Sequence, residues 1–274
     1  MKVVAAVARK ELRDAVSSSW LLMYAALFTA LALGLSYLGE RNLGSVGFEN
    51  FSRTTASLLN LCLLLAPLAA LSLGAGAIAG ERDRGALTYL LSQPLDRWEL
   101  LIGKFAGLSA SIAVATLAGF GIAGIVIAFY ASTLAVGTYV MLVALVLALV
   151  CVMTGLGLVA SVISATRVQA LGLALLIWFV AVFVFDLLLI GMVSATSLGG
   201  GGLMLALMLN PVEIVRVLAI IHLEPDLQIL GPFGSYLMER VGTGGATAIL
   251  SVALAAWVVV PVSLAAWLFE IREA

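Results

Sequence analysis

Few residues in this chain could do chemistry, and where they fall limits what that chemistry is. Asp186 is the single acid deep within a long apolar run, 168–193. An ionisable group in so apolar a setting is costly and points to a task. It could bind an ion, carry a proton, or pair with a residue across an interface between copies. The plainer alternative is a protonated or hydrogen-bonded structural acid. Met204, Met208, His222 and Met238 form a second group further on. Met204 and Met208 stand four residues apart, so one helical face could offer two thioethers to Cu(I), a soft ligand set. Methionine in an apolar helix also serves simply as packing.

The usual catalytic arrangements are missing. No GxxxxGK[ST] occurs, and the only Gly-Lys pair, Gly103–Lys104, runs on into Phe105 without the upstream glycine. The chain therefore has no loop to cradle a nucleotide phosphate, and any such energy must arrive through a partner. HExxH and GxSxG are absent, and His222 is the only histidine. Intramembrane hydrolase chemistry has little to work with. Cys62 and Cys151 lie alone in apolar runs, which suits buried packing better than a disulfide or metal site.

The elements that hold these residues follow from composition. Of 274 residues, 63% are hydrophobic and 11% charged, with a mean hydropathy of +1.19. Too few polar residues exist to cover a water-facing surface, so the solvent is lipid. A net charge of −1 offers no basic excess for nucleic acid. A spanning helix needs about 20 apolar residues, and six runs qualify: 20–38, 57–80, 101–130, 138–164, 168–193 and 246–269. Backbone groups in lipid must be satisfied within the segment, so the runs are helices and the fold class is an all-α membrane protein. With the N-terminus inside, ten of the 14 Lys and Arg fall in inside segments, which puts both termini in the cytoplasm. The first run is too long for a signal-peptide core, and LSYLGER offers no small-residue cleavage site, so it reads as an anchor.

Three segments between the runs carry patterns of their own. In residues 1–19, Val4, Ala8, Leu12 and Val16 share one side of a helix, with Arg9, Lys10 and Arg13 opposite. This predicts a helix in the membrane interface. The stretch ERDRGALTYLLSQPLDRWELLIGK, 81–104, holds eight of the 29 charged residues: Glu81, Arg82, Asp83, Arg84, Asp96, Arg97, Glu99 and Lys104. Leu87, Leu90, Leu91, Pro94, Leu95 and Trp98 recur through it at helical spacing. Pro94 disfavours helix at Gln93, so a first helix ends near Ser92. Asp96 caps a second, with Glu99 three residues on. The expected product is a cytoplasmic helix–corner–helix that shows Leu and Trp beside charges. Such a stripe fits a partner's groove, or alternatively lipid headgroups. The third segment, 194–245, is still apolar but too broken to span. Asn210 followed by Pro211 predicts a capped helix start, with Val212, Val215, Leu218 and Ile221 along one face and Glu213 and Arg216 displaced from it. Short helices dipping into the outer leaflet and capping the bundle are expected. Glycines at 74, 76, 80, 119, 121, 124, 155 and 157 allow close helix approach, with Gly76-xxx-Gly80 the clearest motif.

The charged stretch after the second run resembles the signature of ABC-2 type transporter permeases, and the six runs with an N-terminal interfacial helix fit that family along the whole chain. Within it, LNPVEIVRVLAI, 209–220, is similar to the NosY-type permeases of NosDFY complexes, which serve copper-centre assembly in nitrous oxide reductase. The resemblance implies one transmembrane domain over 1–274 in a bacterial inner membrane. It also implies a second copy of the chain, a cytoplasmic NosF-like ATPase that holds ATP and Mg, and a periplasmic NosD-like copper-binding protein. The chain itself would bind no cofactor and would not be an enzyme. Its coupling region would be 81–99, with Glu81, Arg82, Asp83, Arg84, Leu87, Leu90, Leu91, Pro94, Arg97, Trp98 and Glu99 meeting the ATPase. Two alternatives stand beside this reading: an ABC-2 exporter of a drug, lipid or polysaccharide, and a proton-coupled secondary transporter using Asp186.

Overall fold

The computed structural model describes residues 2–41, 48–91, 96–128, 136–195, 200–223 and 231–272. Pro94 lies outside them, as do the side chains of Leu91 and Met238. Every described element is helical. Helix α1 (Lys2–Val16) turns at Ser17 and Ser18 into α2 (Ser19–Arg41). Then come α3 (Phe48–Asp83), the short α4 (Ala86–Leu91), α5 (Arg97–Ala128) and α6 (Val136–Ile163). Helix α7 (Arg167–Phe179) passes through a π-helical turn, Val180–Val184, into α8 (Phe185–Ala195). Two short helices follow, α9 (Gly200–Met208) and α10 (Pro211–Leu223). Helix α11 (Gly231–Tyr236) and a second π turn (Leu237–Val241) lead to α12 (Thr243–Arg272).

Among the described residues six stretches are long and apolar enough to cross a membrane: Ser19–Tyr37, Thr55–Asp83, Arg97–Ile125, Val136–Ile163, Arg167–Gly191 and Thr243–Arg272. They fall on the six expected runs, with ends shifted by a few residues. The middle three form the core. Their most apolar windows are 56%, 50% and 61% buried, against 28%, 11% and 22% for the first, fifth and last. Lipid contact does not select against apolar residues, so the outer spans can leave Leu176, Phe179, Leu187 and Val252 exposed.

The most extensive contact joins α3 to α6. A Cβ on Gly74 would stand 2.7 Å from the Thr154 carbonyl oxygen, and one on Gly157 would stand 2.7 Å from that of Leu71. Only hydrogen fits on either side. Ser161 Oγ reinforces the contact by accepting from the Ile78 and Ala79 N–H groups at 2.9 Å. The motif Gly76-xxx-Gly80 serves otherwise: both glycines are overlain by the Arg167 side chain, whose Nε lies 3.8 Å from a Cβ built on Gly76.

Two expectations change. Helix α1, expected in the membrane interface with Val4, Ala8, Leu12 and Val16 on one side, packs on α5 through part of that side and the flank beside it. Glu11 and Ala15 are buried, Val4, Val7 and Ala8 half-buried, and Val16 is 44% exposed. The cause is α5, whose Gly103 and Gly107 lie so close that added Cβ atoms would stand 2.7 Å from Val7 Cβ and 2.5 Å from the Ala8 carbonyl oxygen. Helix α1 therefore packs on protein along that side. The second change is α10, which does not rest on the bundle's lip. It is inserted among α3, α6 and α12, and Val212, Ile214, Val215 and Leu218 are all fully buried.

Candidate functional site

The charged stretch, termed the elbow, closes α3, carries the short α4 and opens α5, and its residues 92–95 lie outside the described residues. Helix α3 ends where Gly85 takes φ 70° and its N–H donates to the Arg82 carbonyl at 3.0 Å. That left-handed conformation favours glycine at a helix C-terminus. Helix α4 follows, with Leu87 buried in the core, Leu90 half-buried and Tyr89 70% exposed. Asp96 caps α5, its Oδ1 accepting from the Trp98 N–H at 3.3 Å. The elbow thus shows Tyr89 outward on α4, while Leu87 faces the bundle.

Most charges of the elbow are spent within the chain. Arg82 donates to the Ser164 carbonyl at the end of α6. Asp83 Oδ2 accepts from the Arg167 N–H at 3.0 Å, in the first turn of α7. Arg97 donates to the Glu270 carbonyl at 2.8 Å, and Trp98 Nε1 to the Glu270 carboxylate at 3.3 Å, both near the end of α12. Arg272 in turn donates to the carbonyls of Val162, at 3.0 Å, and Ile163. Span ends that are separate in sequence are tied into one polar collar.

Beneath the collar lies a cluster that the pattern of charges did not reveal. Lys104 is 1% exposed, and its Nζ meets Glu81 Oε1 at 2.7 Å, Glu11 Oε1 at 2.9 Å and the Ala77 carbonyl at 3.3 Å. Lys10 adds a second cation, 3.3 Å from Glu11 and 3.8 Å from Glu81. Burial works against ionisation of Glu11, but the charges and hydrogen bonds of Lys104 and Lys10 outweigh it and hold the carboxyl below its usual range. Glu81, expected to face a partner, is instead the buried link between α3, α5 and α1. A sequence signal for this cluster existed: Gly103-xxx-Gly107 brackets Lys104 and marks where another helix comes close.

At the other end of the bundle Asp186 has its partner in the same chain. Arg216 Nη1 donates to both Asp186 oxygens at 3.0 Å. Glu213, one turn before Arg216, stands 2.8 Å from the same nitrogen, at ion-pair distance but with poor hydrogen-bond geometry. It is 4% exposed, and its carboxyl is pushed up to about 8 by burial, with Arg216 opposing and Asp186 adding to the rise. Asn210 holds α10 in place from its start. Its Oδ1 accepts from the Val212 N–H at 3.0 Å, and its Nδ2 donates at 2.6 Å to the Ala181 carbonyl. Ala181 lies in the π turn of the fifth span, and such turns disturb the regular ladder of backbone hydrogen bonds.

Met204 is buried in the core and Met208 packs against it. The Met208 carbonyl accepts from Trp257 Nε1 at 3.0 Å, and His222 Nδ1 lies 2.7 Å from the Leu218 carbonyl. Among the described residues no three of His, Cys, Asp and Glu are placed to hold a metal ion. Cys62 and Cys151 are free thiols within the bundle.

Known proteins place this architecture. The model of a family described as "ABC-2 family transporter protein" matches residues 5–274. The chain is 38% identical over 224 residues to a "Probable ABC transporter permease protein NosY" of Pseudomonas aeruginosa, covering 80% of this chain and 82% of that one. It is 34% identical over 272 residues to a protein of the same description from Stutzerimonas stutzeri, covering 97% of each. Six apolar spans and a match along almost the whole length lead to one assignment: the chain belongs to the ABC-2 family, as a membrane-embedded permease subunit of an ABC transporter.

Proposed function

We propose that this permease receives the work of ATP hydrolysis from a cytoplasmic ATPase at the elbow and delivers it as a change of shape at the opposite end. There it serves copper delivery to nitrous oxide reductase through a periplasmic copper-binding partner. The NosY description of two relatives supports the copper role. One observation carries the mechanical role: the elbow exposes Tyr89 on α4 while both of its flanks are pinned to the ends of α6, α7 and α12. A helix held that way cannot swing alone. Force on it is passed to the attached spans as rigid units.

The path is made of named contacts. Lys104 transfers displacement of α3 and α5 to α1 through Glu81 and Glu11. The Asp83–Arg167 contact transfers it to the fifth span, and the π turn of that span meets Asn210 on α10. At the far end Asp186 and Arg216 keep α8 and α10 together. A homodimer in the inner membrane with both termini cytoplasmic completes the reading. ATP stays in the partner ATPase and copper in the periplasmic partner.

The test is made in a denitrifying host. Deleting the gene should leave nitrous oxide reductase short of copper, and wild-type complementation should restore it. A Tyr89→Asp chain that reaches the membrane in normal amount should restore little. Full copper loading in the deletion strain contradicts the copper role. Full loading with Tyr89→Asp contradicts docking through α4.

A further inference from the structure

A cavity of about 510 Å³ lies between α1 and the second and fifth spans, at the elbow end. Its size is ordinary for a small-molecule site, about 300–1,000 Å³. The lining is divided by chemistry. Glu11, Asp14 and Glu81 bring acids, and Lys10, Arg84 and Arg167 bring cations. Leu73, Leu171 and Leu175 form an apolar wall, and Leu175 is also 50% exposed, so that wall runs out to the lipid side of the bundle. Trp20, at the start of the first span, borders the same space, where an aromatic ring commonly marks the headgroup level.

The charges are unevenly satisfied. Lys104 and Lys10 take up Glu11 and one oxygen of Glu81. Glu81 Oε2 is buried without a hydrogen-bond partner, and Asp14 is 62% exposed with Lys10 at 3.7 Å. Among the described residues no ion pair engages the Arg84 or Arg167 guanidinium. The Arg167 side chain lies along Gly76 and Gly80 at the cavity wall. A ligand that matches this site carries an anion for the arginines, a hydrogen-bond-donating cation for the exposed Asp14, and an apolar tail for the leucines. We infer that the cavity binds a phospholipid with a primary ammonium headgroup, of the phosphatidylethanolamine type, from the leaflet that borders the elbow. Arginine suits the phosphate because its planar fork can donate twice. A choline headgroup cannot donate, and a glycerol headgroup has no cation. Neither matches the acid side. This site does not depend on the copper reading and holds whatever the transporter moves.

The experiment uses the purified full chain, stripped of native lipid and titrated in detergent, with native mass spectrometry as the readout. Dioleoyl-phosphatidylethanolamine should be retained about tenfold better than the choline and glycerol lipids of the same chains, the effect of one charge-assisted contact. Asp14→Asn should weaken phosphatidylethanolamine alone. Arg167→Gln should weaken both phosphatidylethanolamine and phosphatidylcholine, since both carry the phosphate. Soluble glycerophosphoethanolamine should bind poorly, because it lacks the chains. Equal retention of the three lipids overturns the inference, and so does tight binding of the soluble headgroup. If either variant fails to fold, the wild-type comparison of the three lipids decides alone.

Discussion

Lys104 is a full charge at 1% exposure, held by two carboxylates and a carbonyl oxygen. Taking an ion out of water is repaid only when its partners are complete, and removing one partner leaves the rest buried and unpaired. Lys104→Met should therefore cost about 3–5 kcal/mol of stability, read as a lower unfolding midpoint of the solubilised protein. Adding Glu11→Leu to that variant should recover part of the loss, because it removes one stranded charge. Glu213 makes a prediction of a different kind. Its folded carboxyl titrates near 8 against 4.5 for the ordinary group, so folding favours the protonated form. The stabilisation is complete below about pH 4.5 and is lost as pH rises through about 8. Thermal stability should fall across that window, and Glu213→Gln should flatten the fall. Asp186 was legible in the sequence as an acid needing a reason, but Arg216 and Glu213 were not. Both sit about one turn apart on a helix whose apolar spacing put them off the apolar face, and insertion of α10 among three spans buries Glu213 and half-buries Arg216 as well.

Helix α1 owes its position to the small residues of α5. Leucine at Gly107 would have to occupy space already taken by the Ala8 backbone and by Glu11, whose Cβ stands 2.7 Å from the added atom. Gly107→Leu should push α1 away and break the Lys104–Glu11 contact. The expected result is a destabilisation of roughly 1–3 kcal/mol, the usual range for overpacking, with faster proteolysis within residues 2–16. Unchanged stability would mean that α1 floats on lipid. The amphipathic pattern of residues 1–19 made the helix legible, because charge and apolar residues alternate at helical spacing. Its buried face was not, because the face is chosen by glycines nearly a hundred residues away. The elbow divides in the same way. Asp96 at a helix start could be read locally, while the attachment of Arg82 to Ser164 and of Arg97 to Glu270 depends on how the spans are arranged.

At the scale of the molecule the six spans were plain, since lipid demands about 20 apolar residues per crossing and leaves few other solutions. What a bundle does is harder to read, because its outer spans face lipid or another chain with the same residues. The fifth span leaves most of its most apolar window uncovered, with only 11% buried, and composition does not distinguish those neighbours. The polar collar is more informative. It connects α3, α5, α6, α7 and α12 at one end, as the proposed passage of force from α4 to the spans requires. The central claim is that an ATPase applies that force. It is tested most directly by placing a photo-crosslinking amino acid at position 89, on exposed α4, and another at position 205, on α9, where Leu205 is 68% exposed. In intact membranes position 89 should capture the partner ATPase and position 205 should not. Capture at 205, or none at 89 in a complex that still hydrolyses ATP, would contradict the account.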